Sequence, residues 1–134
     1  MDGPLVDALE FISKSHPSYD KLKSYLVSFI ENIIKYQKNG YFYWQLGALD
    51  SYVDTSATAM IGYAIKKGIT IGLIDKKYEN VALNALDAII KSTKNGIIGD
   101  CSGECRGLSM YPQVYSSYPW SQGPGTALYS LSVQ

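Results

Sequence analysis

Few side chains in this sequence could do chemistry, and their neighbours restrict what each can do. Asp54 stands directly before Thr55-Ser56-Ala57-Thr58. A carboxylate there is an N-cap, accepting the free backbone N–H groups of the turn that follows. Capping commits Asp54 to holding a helix start, so it is not assigned as an acid or base, and no catalytic residue is expected in the chain. Cys101 and Cys105 form a C-x₃-C pair with no other Cys, and His16 is the only His. Zinc needs four ligands, so no metal site is expected. Buried thiols are the favoured reading of the pair, and a local disulfide is disfavoured in a reducing compartment. Asp100 and Glu104 read as solvated, and His16-Pro17 as a surface turn. Gly123-x-Gly125 opens a helix without the preceding strand of a dinucleotide fingerprint, so close helix packing explains it better and no cofactor is expected.

Aromatic residues are the unusual component. Of 17 (twelve Tyr, three Phe, two Trp), nine fall in two loop stretches. The first holds Tyr41, Phe42, Tyr43, Trp44 and Tyr52; the second holds Tyr111, Tyr115, Tyr118 and Trp120. Rings stack on the C–H faces of sugars, and helix N-termini suit carboxylates. Two readings stand side by side: an aromatic mouth for a carbohydrate acid, or rings that close one end of the fold by packing.

The elements that must position these groups come from a repeat. Ile-Ile-Lys-x-x-Lys-Asn-Gly occurs at Ile33–Gly40 and again at Ile89–Gly96, an offset of 89 − 33 = 56 residues. Each copy closes an amphipathic helix, with Asn39-Gly40 and Asn95-Gly96 expected as C-caps. A loop and then a helix rich in small residues follow each copy. The spacing predicts helices over Leu5–Ser15, Tyr19–Lys38, Thr55–Lys67 (with Gly68 as stop), Asp75–Thr93, and from Gly123-Pro124-Gly125 towards the C-terminus. Leu5, Leu9 and Ile12 share a face of the first. Leu22, Tyr25, Leu26, Phe29, Ile30, Ile33 and Ile34 form the stripe of the second. Tyr78, Val81, Leu86, Ile89 and Ile90 point inward from the fourth. The third carries no charge from Thr55 to Ile65 and the fifth carries none, which predicts burial on all sides. Outer, half-solvated helices alternating with inner, buried ones give an all-α fold, a partial α/α toroid of stacked helical hairpins. Residues 1–134 hold fewer than the about three repeats that a continuous core takes, so they are expected to form a single incomplete barrel segment.

Five segments stand in order along the chain: Leu5-Val6-Asp7-Ala8-Leu9-Glu10, Tyr36-Gln37-Lys38-Asn39-Gly40, Asp54-Thr55-Ser56-Ala57-Thr58-Ala59-Met60, Gly68 to Asp75 with Tyr78, and Gln122-Gly123-Pro124-Gly125. Together they resemble the C-terminal part of the unsaturated glucuronyl and rhamnogalacturonyl hydrolases, glycoside hydrolase families 88 and 105. The resemblance implies about five helices of an (α/α)6 barrel with a sugar site at the mouth. Such enzymes hydrate the double bond of an unsaturated uronic acid, using an Asp as acid and base and no metal. The family's catalytic Asp belongs to an N-terminal half without counterpart here. Only Asp2-Gly3-Pro4 occupies the tail of its Trp-x-Arg-Gly-Asn-Gly-Trp signature. The resemblance places substrate-binding candidates at Trp44, Gln45, Asp54, Thr55, Ser56, Trp120, Gln122 and Gly123.

The expected function is that of a truncated or split member of this group, inactive alone. The alternative is a non-catalytic carbohydrate-binding or structural helical module that self-associates. The expected partners are an unsaturated uronic-acid oligosaccharide and either further copies of the chain or a missing N-terminal half. A third form is a ring of several copies with a new site. Formal charge is zero, from 12 basic and 12 acidic residues, which gives no basic stripe for nucleic acid. No run of apolar residues reaches spanning length, and Met1-Asp2-Gly3-Pro4 has no signal-peptide pattern, so no membrane contact and a cytoplasmic setting are the default expectations.

Overall fold

The computed structural model describes residues 2–48, 50–103 and 114–133. Among them, five α-helices dominate: α1 (Asp2–Phe11), α2 (Tyr19–Ile33), α3 (Thr55–Thr70), α4 (Glu79–Lys91) and α5 (Pro119–Ser132). Four two-residue strands form two antiparallel ladders. β1 (Thr93–Lys94) pairs with β2 (Ile97–Ile98), and β3 (Cys101–Ser102) with β4 (Tyr115–Ser116). No helix among the described residues is long and apolar enough to cross a membrane.

α3 is the pivot because its small residues admit neighbours on several sides. It packs against α1, α4 and α5. At Gly62 a Cβ would lie 2.8 Å from Leu128 and 2.9 Å from Ala85, so α4 and α5 meet α3 where it has no side chain. One core cluster joins Val6, Leu9, Leu26, Ile30, Ile61, Ala64 and Ile65 with Phe42, Ile74 and Ala82. A second, of Ala59, Ile89 and Ile98, seals α3 to α4 and to the β1–β2 hairpin. The inner row α1–α3–α5 backed by α2 and α4 is the alternation read from the repeat.

Several boundaries differ from the sequence reading, each for a local reason. The first helix stops at Phe11, short of Ser15, because Ser13 Oγ accepts from the Ser15 N–H and bonds the Ser15 hydroxyl, drawing the backbone into turns. The second ends at Ile33 and continues as a 3₁₀ turn over Ile34–Tyr36; Gln37 then extends and donates its amide to the carbonyls of Gly40 and Val81. Gly68 does not stop α3. It lies inside the helix, where Ile74 folds back onto it, and the chain reverses at Gly72, with φ +74°. Asp75 caps as expected, accepting from the Lys77 N–H, but it opens a 3₁₀ turn before α4. α5 starts at Pro119, four residues before Gly123, and carries Pro124 within it.

Asn39-Gly40 and Asn95-Gly96 are not helix C-caps. All four have positive φ (52°, 85°, 51° and 77°), the pattern of a type I′ turn. They form the tips of two-residue hairpins, Lys38 with Tyr41 and Lys94 with Ile97. The repeat is therefore helix, tight hairpin, loop, helix.

Burial departs from the expected stripes in places. Tyr25 is exposed on α2 and Ile90 on α4, where Ala82, Ala85 and Ala88 join the expected Ile89 in facing inward. α5 is not enclosed: Thr126, Tyr129 and Ser130 are exposed, and on α3 Ala57, Met60 and Tyr63 are only partly covered. Lack of charge gave no protection here because neighbours are present on only some sides of each inner helix.

Candidate functional site

Asp54 organises the start of α3. Its Oδ1 accepts from the Ser56 N–H at 3.0 Å, the Ser56 hydroxyl at 2.7 Å and the Ser102 N–H at 3.2 Å. The last bond ties the β3–β4 ladder to the helix start. Thr55 donates its N–H to the Asp100 carbonyl and its hydroxyl to Gly99. The first N–H groups of α3 are thus already engaged within the chain, and the carboxylate seated at this N-terminus is the protein's own.

The aromatic loops divide into two groups. Phe42 is fully buried, its N–H donating to the Thr58 hydroxyl and its carbonyl accepting from the Asp54 N–H. Tyr41 donates or shares its hydroxyl with the Ala88 carbonyl and Ser92, pinning the first hairpin to α4. These two rings serve packing. Of the remaining described rings, Tyr115 lies close enough to Asp54 to feel its charge. Tyr52 and Tyr115 meet with ring centres 4.7 Å apart. Tyr118 stacks on Trp120 at the same separation, with the planes within 4° of parallel. Trp120 Nε1 donates to the Ser102 carbonyl at 3.0 Å. Trp44 donates its N–H to the Tyr52 carbonyl and lines a cleft of about 340 Å³ with Ser56, Ala57 and Met60.

A chain of contacts therefore links Trp44, Ser56, Asp54, Ser102 and Trp120, with Ser56 and Asp54 buried at its middle. Of the sequence candidates, Trp44, Asp54, Ser56 and Trp120 lie on it. Thr55 is fully buried behind it. Gln122 turns its amide to Ile98, accepting from that N–H and donating to that carbonyl. Gln45 is exposed, its carbonyl bonded by Ser51. Gly123 borders a separate cleft of about 370 Å³ between α1, α3 and α5, with Asp7, Met60 and Tyr63. Met60 lines both clefts. Ser102 escaped the sequence reading, since only the tertiary approach of β3 to the start of α3 brings a residue 48 positions away onto Asp54. Tyr111, Glu104 and Cys105 lie outside the described residues.

The electrostatics are local. Burial pushes the Tyr63 phenol up to about 12, helped by its hydrogen bond to Asp7 Oδ1 at 2.7 Å. Burial raises the Cys101 thiol, with a hydrogen bond from Ser121 working against it and the Asp54 charge adding to it. Burial also raises Tyr115, and the Asp54 charge reinforces that shift. Cys101 is buried, as its reading required. No cluster of three or more His, Cys, Asp or Glu side chains suited to a metal occurs among the described residues. The arrangement sets rings at either end of a buried carboxylate whose Oδ1 is engaged by Ser56 and Ser102.

Comparison with solved structures supports the fold. A possible GH105 member from Salmonella enterica serovar Paratyphi A is similar at a TM-score of 0.84 and 23% identity, over 96% of this chain and 36% of that one. A family 88 glycosyl hydrolase from Bacteroides vulgatus gives 0.82 and 17%, over 98% and 41%. A family 105 glycoside hydrolase from C. acetobutylicum gives 0.78 and 22%, over 97% and 42%. The chain thus spans about two fifths of the proteins it resembles, and its five helices are an arc of their α/α toroid. With the Glycosyl Hydrolase Family 88 model matching residues 3–129, the chain belongs to that family.

Proposed function

We propose that this chain supplies one arc of the sugar-binding wall of an unsaturated uronyl hydrolase, holding an unsaturated uronic-acid oligosaccharide without itself transferring the proton. The family acts on carbohydrate, and the aromatic path across Trp44, Ser56 and Trp120 is suited to stacking on one. The observation that carries the non-catalytic part is the state of Asp54. It is the carboxylate at the centre of that path, and one oxygen already accepts three bonds inside a buried setting. A general acid must reach the reacting atom with its proton. On this reading residues 1–134 act as a single barrel segment, completed by the helices that the longer relatives carry.

The test has two arms. Mixed with an unsaturated uronyl disaccharide, the chain alone leaves the ultraviolet absorbance of the double bond unchanged. Turnover that disappears in Asp54→Asn would overturn the assignment. In a fluorescence titration the sugar binds at roughly millimolar strength, since each stacked ring adds on the order of 1 kcal/mol. Affinity unchanged in a Trp44→Ala, Trp120→Ala double variant would remove the two rings from the site. A helical module of purely structural role is the second reading. Tyr41 and Phe42, two loop aromatics given wholly to packing, favour it, and the same titration decides.

A further inference from the structure

The two copies of the octapeptide let one half of the molecule report on the other. Adding 56 to a number in the first copy gives its counterpart in the second. Two counterpart pairs are equally buried: Ile33 and Ile89 at 7% and 3%, Phe42 and Ile98 at 0% and 6%. These positions are covered in both repeats. The flanking pairs behave differently. Ile30 is fully buried, whereas Leu86 is partly open. Ile34 is partly covered, whereas Ile90 is 50% exposed. Tyr41 is partly covered and bonded to Ala88, whereas Ile97 is 54% exposed. A Cβ on Gly40 would lie 2.4 Å from the Asn84 carbonyl and 3.1 Å from Ala88 Cβ, whereas one on Gly96 meets nothing within 4 Å.

The first hairpin is covered by α4. At the second, an apolar groove of about 440 Å³ runs between α4, the β1–β2 hairpin and α5, bordered by Leu86, Ile90, Gly96 and Tyr129. Ile89 and Ile98 line it too, and both belong to the core cluster that joins α4 to α3, so the groove continues an interface already formed. We propose that this groove receives an amphipathic α-helix of the α4 type, supplied from outside these 134 residues. It would set alanine or glycine against Gly96, as Ala88 stands against Gly40, and aliphatic side chains against Ile90 and Tyr129. A second copy has no such helix free. Its α2 and α4 already bury their inward faces, Leu26, Ile30 and Ile33 in one and Ala82, Ala85 and Ala88 in the other. The relatives' greater length, with this chain covering 36–42% of the three compared, leaves room for further helices of this kind.

The probe is a synthetic peptide with the sequence of residues 76–92, the segment that covers the first hairpin, stapled through Leu83 and Ile90, exposed positions that do not border that hairpin. It is titrated into the full chain and followed by anisotropy and by amide chemical shifts. Saturable binding is expected, with shifts centred on Gly96, Ile97 and Tyr129. Ile90→Glu and Ile97→Lys each place a charge in the contact and should weaken binding by about tenfold or more, while leaving the thermal melt of the exposed-site variants unchanged. Absence of binding, shifts centred elsewhere, or affinity indifferent to both substitutions would overturn the proposal. So would a dimer of the chain alone, seen by light scattering and abolished by Ile97→Lys, since the occupant would then be a second copy. None of Trp44, Ser56 and Trp120 borders the groove. Failure of the sugar titration therefore leaves this experiment intact.

Discussion

Gly40→Ala and Gly96→Ala make the same change at the same place in two copies of one motif, yet they should differ greatly in effect. Both glycines sit at positive φ, +85° and +77°. An alanine in that conformation costs about 1–2 kcal/mol, and both variants carry this strain. At Gly96 nothing further happens, because the new methyl points into open space. At Gly40 it would stand 2.4 Å from the Asn84 carbonyl oxygen and 3.2 Å from its carbon, main-chain atoms in the middle of α4. Those atoms cannot step aside without moving the helix. Overpacking of this kind costs about 1–3 kcal/mol. Lifting the hairpin away instead breaks the bonds from Tyr41 to Ala88 and from Gln37 to Val81, each worth about 1 kcal/mol. Either route leaves Gly40→Ala about 2 kcal/mol less stable than Gly96→Ala. With a urea slope of about 2 kcal/mol per molar, the midpoints should stand about 1 M apart. Equal midpoints would refute the reasoning, because they would mean that α4 does not press on the first hairpin.

Asp54→Ala should lower stability by about 1–2 kcal/mol through loss of the cap, and Asp54→Asn should recover most of it in urea unfolding, since an amide oxygen still accepts from Ser56. Phe42→Ala removes a fully buried ring and should cost about 3–5 kcal/mol by the same assay. Tyr63 has its phenol raised from 10.0 to about 12, so the folded state favours the protonated form. That contribution is fully present below pH 10 and is lost as pH rises through 12; the urea midpoint of the wild type should therefore fall more steeply over this window than that of Tyr63→Phe.

What could be read from the chain was whatever depends on short stretches. The octapeptide repeat gave two outer helices, the uncharged segments gave two inner ones, and Asp54 before Thr-Ser-Ala-Thr gave a cap that the structure contains. The turns were misread because Asn-Gly serves equally at a helix end and at a hairpin tip. Only pairing across the turn, Lys38 with Tyr41, separates the two. Burial of α5 was overestimated because absence of charge reports what a surface tolerates, not what touches it. For the candidate site, the sequence marked the aromatic loops but could not sort Phe42 and Tyr41, bonded to α3 and α4, from Trp120 and Tyr118, which remain near the surface. Ser102 reaches Asp54 only through tertiary approach, and no spacing rule would have found it.

The clasp between Gln122 and Ile98 has a consequence for how the protein ages. One side-chain amide stands in for a whole peptide unit, its oxygen taking the Ile98 N–H and its nitrogen giving to the Ile98 carbonyl. Slow hydrolysis of that amide to a carboxylate would change a single atom and keep the shape. The acceptor would survive and the donor would vanish, leaving an anion facing a carbonyl oxygen. Stored protein that gains 1 Da at Gln122 should therefore loosen the second hairpin from α5 while the first, held by the Thr58 hydroxyl and the Asp54 N–H, keeps its grip on α3. Wear of this kind would reach the molecule unevenly, repeat by repeat.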